Sequence, residues 1–430
     1  MIPHDPLQDL HRLIVEWYRE HGSAQTVAEV EQVAEQVARA AGAAVIEAGI
    51  AAVAETSARP SNQLPCCCGH KAYFKQNRRR DVTTLYGTVS VSRAYYRCPH
   101  CGQSQMPWDR QQGLGQRSWT PRVKALVAQV AARSSYKESV ELLELLAGFK
   151  IPASTAEAIV AEVGGHLRAE EEELIASYDA NEVIPLVTHK PDWLYISMDG
   201  TSAHIDKAWH EVKTGVVYEG HSGPEGLHTC VNPRYVAAQE TAEQFGARLY
   251  VTAAQAGVEY AHHTVVIGDG AEWIWNLAAH HYPDAIEIVD YWHACEHICN
   301  LARLCYGEGD TNGKRWAEAH KRKLKDSGPT SLLRALKRMK PKTEEQRDAL
   351  RREIGYFTRN RKRMQYAKFR AQGLMIGSGP VEAGCKVVVG ERLKCSGMRW
   401  SGPGADSVLA IRTRVLNRQW DVLERAAKAA

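Results

Sequence analysis

Apolar residues recur at helical spacing along residues 1–58, which predicts a helical N-terminal region. A first amphipathic face is followed by an Ala-, Glu- and Val-rich stretch over residues 26–56. The Ala-rich face suits packing against another helix of the chain or against a second copy, and the pattern favours neither. The first face is formed by Leu10, Leu13, Ile14 and Trp17.

Residues 59–112 change to alternating β-branched and aromatic positions, which predicts a β-hairpin with its turn at the sequence YGT. Residues 113–190 return to helical spacing. Gly148 is expected to end one helix there, and Ser154 or Thr155 to begin the next. Two helices joined by a short turn are typical of DNA-binding domains but also of small helical bundles, so the pattern is a weak indication of DNA reading.

From residue 191 the pattern changes to strands separated by helices. Three antiparallel-looking strands precede an alternation of helix and strand, which predicts an α/β sheet of ribonuclease H type. The fold class is therefore α/β: an RNase H-like catalytic core over residues 191–294 and 376–430, with an all-α insertion over residues 295–375. The strand sequences are WLYISMDG, EVKTGVVYEG, RYVAAQ, HTVVIGDG and AIEIVDYW.

The composition is that of a soluble globular protein, because 44% of the 430 residues are apolar and 24% are charged. The first ten residues lack the basic region and apolar run of a signal peptide. The most membrane-like stretch, residues 40–54, is too short to span a bilayer core of ~30 Å. We therefore expect a cytoplasmic protein without membrane contact. Its eleven cysteines are then expected to be metal ligands or buried small side chains rather than disulfides.

The net charge of +4 conceals a strongly basic segment. Residues 311–372 contain 20 Lys and Arg but 6 Asp and Glu, so they carry +14 and leave about −10 on the rest of the chain. Such a block indicates a surface that binds a polyanion such as DNA or RNA; the alternative is a solvated helical face without a partner. The candidate DNA contacts in the segment are Lys321, Arg322, Lys323, Arg361, Lys362 and Arg363, and Arg399 is added from the C-terminal region.

Two cysteine clusters flank the predicted hairpin, CCCGH from Cys66 and CPHCG from Cys98. Their spacing suits a tetrahedral thiolate Zn²⁺ site, in which Gly69 and Gly102 permit the tight turns. Cys98 and Cys101 supply two ligands, and Cys66 and Cys68 are preferred for the others because alternate residues can point the same way. Cys67 is then a spare, His70 and His100 remain possible substitutes, and the alternative is that these cysteines are merely buried. The hairpin also carries Arg78, Arg79 and Arg80, which suit a DNA clamp.

A second metal site is conceivable at Cys295 and Cys299, which lie at helical i,i+4 spacing beside His293 and His297. A packed helix face is the favoured interpretation.

Carboxylates that end apolar strands are candidates for a second kind of metal site. Asp199 follows the strand WLYISM and Asp269 follows HTVVIG, each with a Gly behind it. Sites in open α/β sheets form at the carboxyl ends of strands, and Mg²⁺ prefers carboxylate oxygens. Taken singly, each Asp-Gly also suits an ordinary turn. The pair favours a site for Mg²⁺ (or Mn²⁺).

Glu382 is the candidate for a third acid, because it falls in the first turn of a predicted helix with Lys386 one turn further on the same face. Glu391 is nine residues away, about half a turn around the helix, and cannot face the same site. Asp290 ends a third strand. It is either a ligand in place of Glu382 or, as we prefer, an accessory group that orients His293.

At these residues the chain resembles bacterial insertion-sequence DDE transposases, most closely those with an N-terminal zinc ribbon that are related to the Mutator-type transposases. The resemblance runs from about residue 60 to residue 420, and the upstream CCC run departs from the expected ribbon spacing. It implies an RNase H-like core, Mg²⁺ dependence, a triad of Asp199, Asp269 and Glu382, and a helical insertion before the last acid. It is carried by DG at 199–200, GDGAEWIW at 268–275, DYWHACEH at 290–297, GSGPVEAGCK at 377–386 and the tail RLKCSGMRWSGPGADSVLAIRTRVLN.

The function expected from these features is metal-dependent cleavage and transfer of DNA strands at the ends of a bacterial insertion sequence. The partners would be the terminal repeats and the target DNA, bound by a homo-oligomer associated with the nucleoid. One alternative is an element-derived DNA-binding regulator that has lost catalysis. Another is an RNase H-like nuclease without strand transfer.

Overall fold

The computed structural model describes residues 6–56, 61–115, 118–180, 189–222 and 228–430. The chain folds as two compact units, Met1–Val123 and Lys124–Ala430. Each unit contains one β-sheet, so the architecture is mixed α/β. The boundary predicted between residues 58 and 59 lies outside the described residues.

The first unit combines helices with a four-stranded antiparallel sheet in the order β1-β2-β3-β4. The predicted hairpin is confirmed: Thr84 pairs with Gly87 at its turn, where Gly87 adopts a φ of 123° that residues with a side chain rarely reach. Val82, Val91 and Trp108 form a small core against one face of the hairpin. The elements are α1 (Pro6–His21), α2 (Val27–Thr56), β1 (Gln63–Pro65), β2 (Lys71–Thr84), β3 (Gly87–Arg97), β4 (Ser104–Gln105) and α3 (Pro107–Gln111).

Helix α2 is longer than the membrane-like stretch read from the sequence. By length and composition alone its segment Val27–Val53 is able to cross a membrane, and that segment is exposed. Residues 40–54 are only part of this helix, so the length of α2 does not exclude a membrane span as that shorter stretch did. One side of the helix contacts β3, and Gly42 lies against the ring of Tyr86. The absence of membrane contact stays a prediction.

The second unit is built on a five-stranded sheet in the order β7-β6-β5-β8-β9. The first three strands in sequence pair antiparallel, whereas β8 and β9 run parallel to β5. Residues 194–198 and 265–267 are buried without alternation, as expected for central strands covered on both faces. The elements are β5 (Trp193–Ile205), β6 (Ala208–Ser222), β7 (His228–Ala238), α7 (Ala242–Gln255), β8 (His263–Gly268), α8 (Glu272–His281) and β9 (Ile286–Val289), with a 3-10 turn at Val258–Tyr260.

The helices α4 (Pro121–Ala131), α5 (Tyr136–Ala147) and α6 (Ala153–Asp179) precede this sheet. Gly148 ends α5 in the left-handed conformation, as predicted, but α6 begins after Pro152 rather than at Ser154 or Thr155. One face of α6 is buried against α16, so α6 packs within the second unit, and DNA binding by this helical region stays a prediction.

The predicted all-α insertion is present between β9 and the C-terminal segment, although its first helix starts a few residues early. Its helices are α9 (Tyr291–Tyr306), α10 (Thr311–Ser327), α11 (Thr330–Arg338), α12 (Glu344–Arg359) and α13 (Tyr366–Ala371). The C-terminal segment is helical: α14 (Gly379–Gly384), a π-helical turn (Cys385–Gly390), α15 (Glu391–Leu393), α16 (Gly402–Leu416) and α17 (Trp420–Ala429).

A buried ion cluster, here called the Glu171 cluster, joins α6, α7 and α16. The Glu171 carboxylate accepts hydrogen bonds from Arg168 and Arg414, each at 2.6 Å, and from Arg248. Burial raises the pKa of Glu171, but the three guanidinium groups outweigh burial and hold that pKa below its usual value. Arg168 and Arg248 also pair with Asp406 and Glu240, respectively.

Candidate active site and metal centre

Two predicted acids lie side by side in the five-stranded sheet. Strands β5 and β8 are parallel and pair as far as Ser197 and Ile267, so Asp199 and Asp269 stand two residues further along neighbouring strands. Asp269 follows the end of β8, as predicted. Its Oδ1 accepts a hydrogen bond from the N–H of Ala271 at 2.8 Å, which fixes the turn after the strand.

Asp199 does not end its strand, and this part of the prediction is wrong. Strand β5 continues to Ile205 and stays paired with β6 throughout, although its pairing with β8 has stopped. The glycine after Asp199, Gly200, therefore does not serve a turn. A Cβ atom at Gly200 would stand 2.2 Å from Oε1 of Glu211, so the glycine leaves room for that side chain.

Glu382 belongs to the helix that contacts Asp199. The Sγ atom of Cys385, one turn after Glu382 in the same helical segment, lies 3.5 Å from Oδ2 of Asp199. The hydroxyl of Ser378 donates to Oε1 of Glu382 at 3.2 Å. Glu391 instead pairs with Arg412 at 3.0 Å. Glu382 therefore lies one turn from the contact with Asp199, whereas Glu391 is engaged by Arg412.

Asp290 is a positioning residue. Its side chain is 1% exposed and caps the N-terminus of α9, where Oδ1 accepts from the N–H of His293 at 2.6 Å. Its other oxygen, Oδ2, accepts from the N–H of Ser378. Because both oxygens accept hydrogen bonds from backbone donors, Asp290 ties α9 to the turn that carries Glu382.

Carboxylates packed together without a cation should be electrostatically strained. Burial raises the pKa of Asp199, and the neighbouring Asp269 carboxylate raises it further. The hydrogen bond from the N–H of Gly200 and the nearby His293 act in the opposite direction but do not cancel this rise. Among the residues that the structure describes, the carboxylate oxygens of Asp199, Asp269 and Glu382 do not all lie within 4.8 Å of one another.

Tyr356 of the helical insertion was missed by the sequence reasoning. Its hydroxyl donates to the main-chain oxygen of Asp269 at 2.9 Å, and its ring lies against Gly270, which has a φ of 103°. The ring also stacks on His297 at 4.0 Å, and His297 contacts Glu353 at 2.8 Å. These contacts hold the His297 ring between helices α9 and α12 of the insertion. Lys386, the other accessory candidate, is exposed in the π-helical turn.

The cysteines of the first unit form a compact cluster. The Sγ atoms of the four preferred cysteines all lie within 4.8 Å of one another, with Cys66 to Cys101 at 3.5 Å and Cys68 to Cys98 at 3.7 Å. Cys67 is exposed, as expected of a spare. The four-cysteine cluster is consistent with a zinc site.

Backbone turns support this cluster. Gly69 donates to the carbonyl of Cys66, and Gly102 donates to that of Cys98, each at 3.0 Å, and both glycines have positive φ angles of 80° and 71°. The backbone N–H of Cys68 lowers the pKa of Cys66 to about 6, helped by the neighbouring thiols. A thiolate is therefore available to a metal near neutral pH. A second group, Cys68 with His70 and His100, also converges, and the two imidazoles stack at 3.7 Å.

We expect purified protein to contain zinc that depends on the cysteine cluster. The variant Cys98→Ser with Cys101→Ser should lose it, because two of four thiolates are removed. Metal content by mass spectrometry measures the effect. Cys67→Ser is the matched control and should keep its zinc; zinc that survives in the double variant would contradict the assignment.

A family model described as an uncharacterised protein family, UPF0236, matches residues 19–420. The chain belongs to this family. It is also 24% identical over 363 residues to a Streptococcus gallolyticus protein described as "UPF0236 protein in vanSb 3'region", covering 80% of this chain and 74% of that relative. The match to the family model spans the cysteine cluster, the acids and the helical insertion.

Two of the predicted DNA contacts are used inside the UPF0236 fold. Arg80 is half-buried and pairs with Asp109 at 2.6 Å. Arg363 pairs with Glu287 at 2.7 Å and lies 4.4 Å from the Trp275 ring centre. The guanidinium groups of Arg80 and Arg363 are therefore engaged in contacts within the fold, which makes them poor candidates for DNA contacts.

The remaining basic candidates differ in exposure. Lys321 is half-buried and pairs with Glu318. The exposed ones are Arg78, which lies over the Tyr95 ring at 3.6 Å, together with Arg79, Arg322, Lys323, Arg361, Lys362 and Arg399.

Proposed function

We propose that this protein is a DDE-type transposase that cleaves and transfers DNA strands at the ends of a bacterial insertion sequence. The observation that carries the proposal is the placement of the acids. Asp199 and Asp269 stand on neighbouring parallel strands, and Glu382 lies on the helix whose next turn contacts Asp199.

The sheet supports an RNase H-like assignment of the core. Three antiparallel strands followed by two strands parallel to the first give the order β7-β6-β5-β8-β9, with β5 in the centre. Asp199 lies on the central strand β5, and Asp269 directly follows the neighbouring strand β8. The helices α9 to α13 then leave the core after β9, and the chain returns at Glu382, as the resemblance to DDE transposases implies.

The proposed reaction is in-line attack on a scissile phosphate, first by water and then by the freed 3′-hydroxyl. Bound Mg²⁺ would activate the attacking oxygen and stabilise the leaving oxygen. Asp199, Asp269 and Glu382 would hold the ions. Asp290 keeps the Glu382 turn in place through the N–H of Ser378, and Tyr356 keeps the turn after Asp269 in place.

The proposed partner is DNA, held through its phosphates. The exposed cations of the insertion, such as Arg322 and Lys323, supply an electrostatic surface on the same unit as the acids. Exposed Arg78 and Arg79 supply a second basic surface on the hairpin of the first unit. Association as a homo-oligomer on DNA and a nucleoid location belong to the same proposal.

The test is cleavage and strand transfer on DNA that carries the ends of the element, with Mg²⁺. Asp269→Asn should lower the rate at least about 100-fold, because a metal centre supplies several kcal/mol and 1.36 kcal/mol is a factor of ten. Asp348→Asn, the same change at an exposed helix position, should leave the rate unchanged. Absence of cleavage by the parent would contradict the proposal and favour a regulator, and cleavage without strand transfer would favour a nuclease.

A further inference from the structure

The helical insertion contains a cavity of about 640 Å³ whose lining is mostly cationic. It opens between α11 and the segment that runs from the end of α12 into α13. We call it the basic cavity. Its five cationic side chains are Arg334, Lys337, Arg361, Lys362 and Lys368.

The charges of the basic cavity are not neutralised by the protein. No carboxylate lines it, and none of its five cationic side chains forms an ion pair among residues 228–430. Other cations of the insertion do have partners: Arg363 pairs with Glu287, and Arg370 lies 3.7 Å from Asp326. Like charges gathered in one concave site repel each other and focus a positive potential that attracts an anion.

The helix α11 adds to this potential. Pro329 and Thr330, at its first turn, line the cavity, and no side chain caps that helix end. The positive end of the helix dipole therefore lies at the same cavity as the cations. Leu332 and Leu336 are buried on the opposite side of α11, which leaves Arg334 and Lys337 for the cavity.

We propose that the basic cavity binds successive phosphates of one nucleic acid strand, as an anchoring site separate from the three acids. A volume of about 640 Å³ is within the range of ligand sites, ~300–1,000 Å³, and suits a few linked groups rather than a whole duplex. The identity of the anion rests on the proposed function, whereas the charge of the cavity does not. A free polyphosphate offers the same chemistry, so the experiment separates the two sources.

The experiment measures binding without catalysis. Full-length Asp269→Asn protein in buffer without added Mg²⁺ or Mn²⁺ is titrated with labelled single-stranded and duplex oligonucleotides from 50 to 200 mM salt, read by fluorescence anisotropy. The cavity variant carries Arg334→Gln, Lys337→Gln and Lys362→Gln. The control variant carries the same charge change at exposed positions outside the cavity: Lys314→Gln, Lys342→Gln and Arg347→Gln.

Loss of three phosphate contacts should lower the slope of log affinity against log salt by about 2.7 for duplex and by about 2.1 for single strands. Between 50 and 200 mM salt, the loss of affinity should then be smaller for the cavity variant than for the parent, by about 40-fold on duplex and by about 20-fold on single strands. The control variant should resemble the parent. Equal slopes for both variants would overturn the inference, and so would parent protein that binds inorganic tripolyphosphate as tightly as it binds the oligonucleotides.

Failure of this inference is distinguishable from failure of the proposed function. If the parent does not cleave DNA but the cavity and control variants differ in salt slope, the catalytic proposal is contradicted and the cavity inference stands. If the parent cleaves DNA but the two variants have the same salt slope, the catalytic proposal stands and the cavity inference is contradicted. Thermal unfolding of each variant checks that the exposed substitutions leave the fold intact.

Discussion

Glu382→Gln is expected to lower DNA cleavage at least about 100-fold, whereas Glu391→Gln should stay within a few-fold of the parent. Glu382 lies one turn before Cys385, whose Sγ atom contacts Asp199, and losing a metal-holding carboxylate would remove several kcal/mol of transition-state stabilisation. Glu391 faces Arg412, and its side chain is 51% exposed, so that pair contributes no more than about 1 kcal/mol to stability. Arg412 remains held by the main-chain oxygens of Val387 and Ala132.

The two variants make a matched pair, since each exchanges one carboxylate for an amide in the same helical segment. Single-turnover cleavage with Mg²⁺ gives the comparison, and oligonucleotide binding checks that both variants still engage DNA. Equal rates for the two would show that Glu382 has no special role. Loss of cleavage by Asp290→Asn with retention by Glu382→Gln would identify Asp290 as the third acid instead.

Glu171→Gln is expected to destabilise the second unit by about 3–5 kcal/mol, because it leaves three buried guanidinium groups without their shared carboxylate. Glu170→Gln is the neighbouring control. Glu170 is 52% exposed and lies 3.9 Å from Arg425, so its loss should cost less than about 1 kcal/mol. Denaturant unfolding measures both effects, and a Glu171→Gln protein as stable as the control would contradict the ion cluster.

The Glu171 cluster also predicts a direction with pH. The folded pKa of Glu171 is held below the ordinary value of 4.5, so its charge stabilises the fold fully above that value. This contribution is lost as pH falls from about 4.5 through the lower folded pKa. The stability gap between the parent and Glu171→Gln should therefore be constant near neutral pH and should narrow on acidification. A gap that widens in acid would contradict the assignment.

Features that depend on local sequence were predictable, and those that depend on distant partners were not. The glycine turns beside the cysteines, the left-handed Gly148 and the strand end before Asp269 follow from neighbouring residues. Arg80 and Arg363 looked like free surface cations because their partners, Asp109 and Glu287, lie 29 and 76 residues away. Tyr356 was missed for the same reason, since its contact is with Asp269, 87 residues earlier.

The error at Asp199 has a similar origin. A strand followed by Asp-Gly predicts a turn when only the chain itself is considered. In the fold β6 stays paired with β5 for six further residues, and the space left by Gly200 is filled by Glu211 on that partner strand. Pairing with a neighbour, rather than local turn preference, decides where β5 ends.

Because β5 does not turn at Asp199, the acids lie at the foot of a two-stranded wall. Six residues separate Asp199 from Ile205, so at ~3.3 Å per residue the β5–β6 ribbon rises roughly 20 Å above the carboxylate. The top of the wall is braced, since Asp206 donates its N–H to the oxygen of Trp400 at 2.8 Å. The wall rises as far as β6 continues to pair with β5, so strand pairing, rather than a turn after the acid, sets how deep the Asp199 carboxylate lies beside it.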